Sequence, residues 1–458
     1  MALKRTAAEA GLLVMGPDCG TAIVNGVGLG FANRVRRGPI GLVAASGTGL
    51  QQVSARIHQL GSGITHALGT GGRDLSQAVG AVTARQGLDL LSRDPETRVI
   101  VLISKPPAPQ VAESLLRAAR SAGKPVVVDF IGYAPPARQV EDLHFAATLD
   151  EAAEMAVQLA TGMTQDAGRR TQAPGVTRQD LDRVAERFAP GQRYLRGLFS
   201  GGTLAYEALL VLQGYLPAVY SNVPLDKEYR LANSLVSQEH TIVDLGEDEF
   251  TVGRLHPMMD NDLRIRRLQQ EADDPEVAVI LLDVVLGYGA HPDPAGELAP
   301  AIADARGRAA EAGRHLEVVA VVVGTDEDPQ AFDAQVEQLE AAGAHVETSN
   351  EAAVRTVGRL LQSLDPTSNL QPPTSNLQPP ISNLQSPTSN LQLPTSNTRR
   401  PVRAPPTPGR HQRRPGVVHR EPDGPGCPGD SRRLAASGRR RREVDGAPGA
   451  DEGIGTMN

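Results

Sequence analysis

The sequence has no tryptophan, only two cysteines, and an aromatic fraction of 3%. Two cysteines, Cys19 and Cys427, build neither a disulfide framework nor a cysteine-rich zinc site. No apolar run approaches the ~20 residues that span a bilayer; Val318–Val323 is the length of one strand. The opening Met1-Ala2-Leu3-Lys4-Arg5 lacks the long apolar segment of a signal peptide. The expectation is a cytoplasmic protein with no membrane partner. With aromatics so scarce, Val, Leu, Ile and Ala must fill the interior, and a hydrophobic fraction of 40% supports ordinary cores.

The length, 458 residues, suits two or three domains. Charge is unevenly spread. From Pro366 onward there are 13 Arg, no Lys and 7 acidic residues, so 33 basic and 46 acidic residues remain before it. That tail opens on a Pro-Thr-Ser-Asn-Leu-Gln-Pro unit recurring every seven residues to about Asn397. A heptad invites a coiled-coil reading, but each full unit carries Pro, which removes a helix donor and clashes with the preceding turn. Residues 366–458 therefore read as a disordered low-complexity tail. Lacking Lys and any aromatic to stack on bases, it is expected to have no nucleic-acid partner.

Before the tail, short β-branched runs alternate with amphipathic helices, the pattern of a parallel sheet covered on both faces. Residues 1–10 read as the end of a helix, with something missing upstream, and Leu12–Met15 as a short strand. Strands are expected at Ile40–Ala45, Arg98–Ser104, Pro125–Ile131, Tyr194–Phe199, Val277–Asp283 and Glu317–Val323. Helices are expected at Gly49–Leu60, Gln110–Ala122, Thr203–Gln213, Ala299–Ala312, Gln330–Ala342 and Glu351–Leu364. The polar stretch from Thr161 reads as a linker. The fold class is α/β, with two flavodoxin-like parallel-sheet domains at 1–162 and 193–365, a linker at 163–192, and the tail.

Two landmarks recur in the same order. Ser46-Gly47-Thr48 and Gly201-Gly202-Thr203 each follow a strand and open a helix. Asp94-Pro95-Glu96 and Asp274-Pro275-Glu276 each precede the next strand. Duplication of one unit accounts for both.

The strand–turn–helix at Ser46, Gly47, Thr48 and Gly49 offers small residues, hydroxyls and the free amides of a helix's first turn to an anion. Its counterpart is Gly201, Gly202 and Thr203. Each alone is also an ordinary helix cap. Gly71, Gly72 and Arg73 form a second candidate, a glycine nest beside a guanidinium, or simply a tight loop with an Arg73–Asp74 pair. A third cluster gathers acids and histidines in loops of the second half. From it His256, His291, Asp260 and Asp293 are the candidate catalytic residues, since His can shuttle protons or carry a phosphoryl group. Their spacing matches no zinc signature, so no metal is expected.

Several segments resemble FdrA proteins: Met15-Gly16-Pro17-Asp18-Cys19-Gly20-Thr21-Ala22, the Ser46–Gly49 turn, Gly71-Gly72-Arg73-Asp74, Phe250-Thr251-Val252-Gly253-Arg254 with His256-Pro257-Met258, and Leu282-Asp283-Val284-Val285-Leu286-Gly287-Tyr288-Gly289. The likeness covers roughly residues 5–362. At greater distance both halves resemble the CoA-ligase domains of the succinyl-CoA synthetase superfamily. The resemblance implies an acyl-CoA synthetase-like, succinate–CoA ligase-like subunit that handles an acyl-phosphate-type anion between paired helix N-termini. FdrA proteins usually begin with a CoA-binding domain, which is expected to be missing here. The superfamily's phosphorylated His lies in a Gly-His-Ala-Gly-Ala run; this chain has Gly132-Tyr133-Ala134-Pro135-Pro136. CoA and a nucleotide are thus expected only with a missing domain or a partner subunit; self-association into a homo-oligomer is the other option. Two alternatives stay open. One is a component of an oxamate and carbamoyl phosphate carbamoyltransferase in purine (allantoin) catabolism. The other is a non-catalytic scaffold.

Overall fold

Apolar β-branched runs flanked by amphipathic stretches become strands and helices where expected, and the order in which they assemble decides where a ligand can sit. The computed structural model describes residues 2–16, 19–162 and 177–364. The repeat tail lies outside the described residues. In the first half come α1 (Ala2–Glu9), β1 (Thr21–Val24), β2 (Val27–Gly30), β3 (Arg37–Ala45), α2 (Gly47–Gln59), β4 (Ile64–Gly69), α3 (Val82–Arg93), β5 (Val99–Ser104), α4 (Pro109–Arg120), β6 (Val126–Phe130), β7 (Gln139–Val140), β8 (Leu143–Phe145) and α5 (Leu149–Thr161). In the second come α6 (Arg178–Ala185), β9 (Tyr194–Phe199), α7 (Gly202–Leu212), β10 (Tyr220–Ser221), β11 (Thr241–Asp244), a short helical turn Asp248–Thr251, α8 (Asp262–Ala272), β12 (Val277–Val285), α9 (Pro294–Glu311), β13 (Glu317–Val323), α10 (Phe332–Ala341), β14 (His345–Glu347) and α11 (Asn350–Leu364).

The first sheet runs β2-β1-β4-β3-β5-β6-β8-β7 and the second β10-β11-β9-β12-β13-β14. Within each, five parallel strands follow the flavodoxin-like order 2-1-3-4-5: β4-β3-β5-β6-β8 and β11-β9-β12-β13-β14. Both repeated landmarks occupy matched places. Ser46–Thr48 lies between β3 and α2; Gly201–Thr203 lies between β9 and α7. The Asp-Pro-Glu turns also match in detail: Asp94 accepts from the Glu96 amide at 3.2 Å and Asp274 from the Glu276 amide at 3.0 Å.

Three differences from the sequence reading stand out. Leu12–Met15 forms no strand; side chains of α3 take two of its carbonyls instead. Thr83 Oγ1 donates to the Val14 oxygen and Gln86 Nε2 to the Leu12 oxygen. The segment read as a linker contains α6, fixed by a Thr177–Asp180 capping box and buried Leu181. The β1–β2 hairpin, which extends the first sheet antiparallel to β4, was not expected.

The halves share one core. Leu50 and Val53 of α2, Ala152 and Ala156 of α5, Leu204 and Ala208 of α7, and Val354 and Val357 of α11 belong to a single buried cluster. Each larger side chain among them contributes ~1.5–3 kcal/mol of transfer free energy. Around this core the polar contacts obey a pseudo-twofold. Thr148, which caps α5, donates to Glu351 at 2.7 Å, and Ser349, just before α11, donates to Asp150. Glu351 and Asp150 are each the second residue of their helix. At the centre, Gln52 of α2 donates to Asp150 at 3.2 Å, and its α7 counterpart Glu207 accepts from the Leu149 amide and Asn350, both at 2.8 Å. No helix among the described residues is long and apolar enough to cross a membrane.

Candidate functional site

The pseudo-twofold brings the two strand–helix turns face to face. Ser46 caps α2, its Oγ accepting from the Gly49 amide at 3.0 Å, and the same oxygen lies 2.6 Å from Thr203 Oγ1. Gly201 presses against Thr48 so closely that a Cβ there would sit 2.6 Å from Thr48 Cγ2. Both turns line one cleft of about 660 Å³ at the carboxyl ends of the sheets, where open α/β folds take ligands. Gly72, Arg73, Ser104, Lys105, Asp244 and His256 complete its polar wall.

The two sides of the cleft differ in charge. The first half contributes Arg73 and Lys105, and the second contributes Asp244, Glu247 and Asp248. Asp244 ends β11 against the α7 N-terminus: a Cβ on Gly202 would meet Asp244 Oδ2 at 2.2 Å and Lys105 Nζ at 3.0 Å. Burial pushes the Asp244 carboxyl up to about 7, with Lys105 opposing and Glu247 adding to the rise. Asp283 lies fully buried behind the second turn. It accepts from the Ser200 amide (2.7 Å), Ser200 Oγ (3.0 Å) and the Gly201 amide (3.0 Å), and Arg264 lies 4.0 Å away.

His256 reaches the cleft from the loop after the Asp248–Thr251 turn, its ring 5.7 Å from that of Phe31 in the first half. Its Nδ1 accepts from the Met258 amide at 3.2 Å, which leaves the proton of the neutral ring on Nε2. Burial holds the imidazole below its ordinary pKa, with Asp283 opposing and Arg264 reinforcing. A neutral Nε2–H is suited to donating a hydrogen bond. It is poorly suited to nucleophilic attack, which would need the proton on Nδ1.

The other sequence candidates separate. His291 lies outside the cleft lining; its Nε2 is 3.2 Å from Glu297 and its Nδ1 accepts from the Asp293 amide. Asp293 caps α9 and accepts from Gln335 at 2.8 Å. Asp260 is exposed and accepts from the Asp262 amide. Of the three, Asp293 is a helix cap, while His291 and Asp260 each accept from the amide two residues ahead. Gly71 adopts φ +82° and turns the chain so that Gly72 and Arg73 face the cleft. Asp74 points inward. It pairs with Lys4 at 2.7 Å and accepts from the Thr83 and Ala84 amides, so Asp74 is engaged in a buried Lys4–Asp74 pair and not in the Arg73–Asp74 pair of the tight-loop alternative. Lys105, Ser104 and Gln51 were missed. Lys105 stands one residue past strand β5, a position where the topology rule alone would have flagged it. Among the described residues no group of His, Cys, Asp and Glu is arranged to hold a metal ion.

A family model described as CoA-ligase matches residues 198–360, and one described as CoA binding domain matches 36–132. Uncharacterized protein YahF of Escherichia coli (strain K12) is 45% identical over 350 residues, 76% of this chain and 67% of that protein. The chain belongs to the CoA-ligase family. Malate--CoA ligase subunit alpha of Methylorubrum extorquens is 30% identical over 160 residues, 34% of this chain and 53% of the relative. Succinate--CoA ligase [ADP-forming] subunit alpha of Aquifex aeolicus is 29% identical over 131 residues, 28% of this chain and 42% of the relative. The chain thus spans about half the length of these two ligase subunits. The CoA-ligase match begins in β9 and takes in the second turn; the CoA-binding match begins just before β3 and takes in the first.

Proposed function

We propose that this chain is an acyl-CoA synthetase-like subunit, of the succinate–CoA ligase kind, whose cleft handles an acyl-phosphate-type anion. The observation that carries the proposal is the convergence of both strand–helix turns on one cleft with Arg73 and Lys105 beside them. First-turn amides, hydroxyls and two cations stabilise a phosphoryl group electrostatically, and do so more strongly where water is excluded. His256 Nε2–H adds a neutral donor. The relatives are named as alpha subunits, and we assign thiol and nucleotide handling to the chain acting together with a partner subunit. A second reading, carbamoyl transfer, is favoured by Asp244, since a carbamoyl group carries N–H donors for a carboxylate and a succinyl group does not.

Acetyl phosphate or carbamoyl phosphate should raise the unfolding free energy of the full chain by mass action, about 2.7 kcal/mol at a hundredfold excess over Kd. A Gly47→Leu variant, which drives a bulky side chain into the cleft, should lose that gain. No thermal shift with either compound at millimolar concentration would refute the proposal. Consumption of CoA thiol with acetyl phosphate, measured with candidate partner subunits, separates ligase chemistry from carbamoyl transfer.

A further inference from the structure

The two turns are related by duplication, yet they are not equally available to a ligand. In the first half β3 and β5 pair Ala44 with Ile103. In the second, β9 and β12 pair Leu198 with Leu282, and the register continued by one residue sets Phe199 beside Asp283. Ile103 and Asp283 are therefore counterparts, because Ala44 and Phe199 each lie two residues before the matched caps Ser46 and Gly201. Ile103 is 1% exposed and offers the first turn no polar atom. Asp283 instead fills its own turn, accepting both the Ser200 and Gly201 amides and the Ser200 hydroxyl. A carboxylate of the protein thus already takes the amides that lead into the second turn. Asp244, packed on Gly202, adds a second carboxylate at the same helix end.

The first turn differs on every count. Its own half lines the cleft with Arg73 and with Lys105, whose ammonium reaches across to Gly202 and Asp244. One helical turn further in, Gln51 lines the same cleft and is only 1% exposed, and its Nε2 has no hydrogen-bond partner. A buried amide donor left without an acceptor costs free energy comparable to a lost hydrogen bond. An anion on the α2 N-terminus would supply the acceptor. The matched residue of α7 is Tyr206, so this donor occurs in one half only.

We infer that the cleft seats a single anion on the first turn, with Gln51 as a ligand-contacting, specificity-determining residue, and that Asp283 is a positioning residue that stands in for the anion at the second turn. This rests on the reading of the cleft as an acyl-phosphate-type anion site, and it assigns that anion to one of the two duplicated turns.

The test is titration of inorganic phosphate into the full chain, followed by calorimetry. The wild type should bind one phosphate per chain. Gln51→Leu should weaken binding about tenfold, as expected for losing one hydrogen bond to a charged group, and Gln51→Glu should weaken it further. Asp283→Ser, which removes the resident carboxylate, should reveal a second phosphate while leaving the first bound; a purely structural role would change stability without changing stoichiometry. Two phosphates on the wild type, unchanged affinity in Gln51→Leu, or a folded Asp283→Ser that still binds one would each overturn the inference while leaving the anion-site reading intact. If Asp283→Ser fails to fold, the wild-type stoichiometry and the two Gln51 variants decide. Absence of phosphate binding by the wild type would overturn both the inference and the reading beneath it.

Discussion

The first and second halves are built on one topology, and they differ most where the topology delivers residues to the cleft. Both place a strand, a small-residue turn and a helix at the centre of a 2-1-3-4-5 parallel order. Interior positions keep their apolar character in both copies. At the carboxyl ends of the strands, however, the first half carries Ser104, Lys105 and Arg73, and the second carries Asp244 and Asp283. Packing constrains a sheet interior to apolar residues of suitable volume, so duplicated cores change slowly in kind. A strand end facing a cleft carries no such constraint. The two copies can therefore acquire opposite charges there without disturbing the fold, and together they form a polarised site that neither could form alone.

Matched substitutions test how far the copies are equivalent. The largest effect is expected at the helix entries. Gly201→Ser, which copies the Ser46 position into the second half, must displace Thr48 and should lose about 1–3 kcal/mol, as overpacking does. Gly47→Ala meets only Thr21 Oγ1 at 3.6 Å and should stay within ~0.5 kcal/mol of wild type. Chemical denaturation of both variants checks the contrast; equal losses would mean that the turns are pressed together symmetrically.

The next effect concerns the matched pair Gln52 and Glu207. Burial first, then the neighbouring charges Asp150 and Glu351, push Glu207 up to about 8, while Asn350 and the Leu149 amide hold it down. A carboxyl whose folded pKa is raised contributes stability that is fully present below the ordinary carboxylate range and is lost as pH rises through the folded value. Between about pH 6 and about pH 8 that loss should amount to ~2 kcal/mol. Gln52 does not titrate, so Glu207→Gln should flatten the dependence. Urea unfolding at the two pH values reads this directly, and a wild type that gains stability as pH rises across the window would contradict it. Fully buried Asp129, also raised by burial and by Glu207 and Glu351, contributes in the same direction.

The smallest expected effect is at the contact joining the turns. Thr203→Val removes the partner 2.6 Å from Ser46 Oγ while keeping the shape, at a cost of about 1 kcal/mol. A change well below this would show that Ser46 is satisfied by the Gly49 amide alone.

Much of this was legible from residue order. Tyr194–Phe199 and Glu317–Val323 are strands at their expected limits, because short β-branched runs buried on both faces have few alternatives. The duplication was legible because turn chemistry is local: a Gly-Thr entry and an Asp-Pro-Glu turn need no distant partner. Strand β4, Ile-Thr-His-Ala-Leu-Gly, escaped notice since polar residues interrupt its run, and it is buried only because β3 and β1 flank it. The candidate histidines illustrate the same limit. His256 and His291 lie in similar loops, yet one faces the cleft and the other packs beside a helix cap.

The sequence by itself therefore determined the α/β class, the two copies and the residue types at each turn, because secondary structure and turn geometry follow from neighbours along the chain. Tertiary structure alone decided that the turns face each other, that Lys105 and Gln51 join them, and that Asp283 fills one of them. Those relations depend on which strands lie side by side and on a pseudo-twofold docking through a shared apolar core. Such contacts join residues as far apart as Ser46 and Thr203, and no local pattern encodes which distant hydroxyl, carboxylate or amide will be brought within hydrogen-bonding distance.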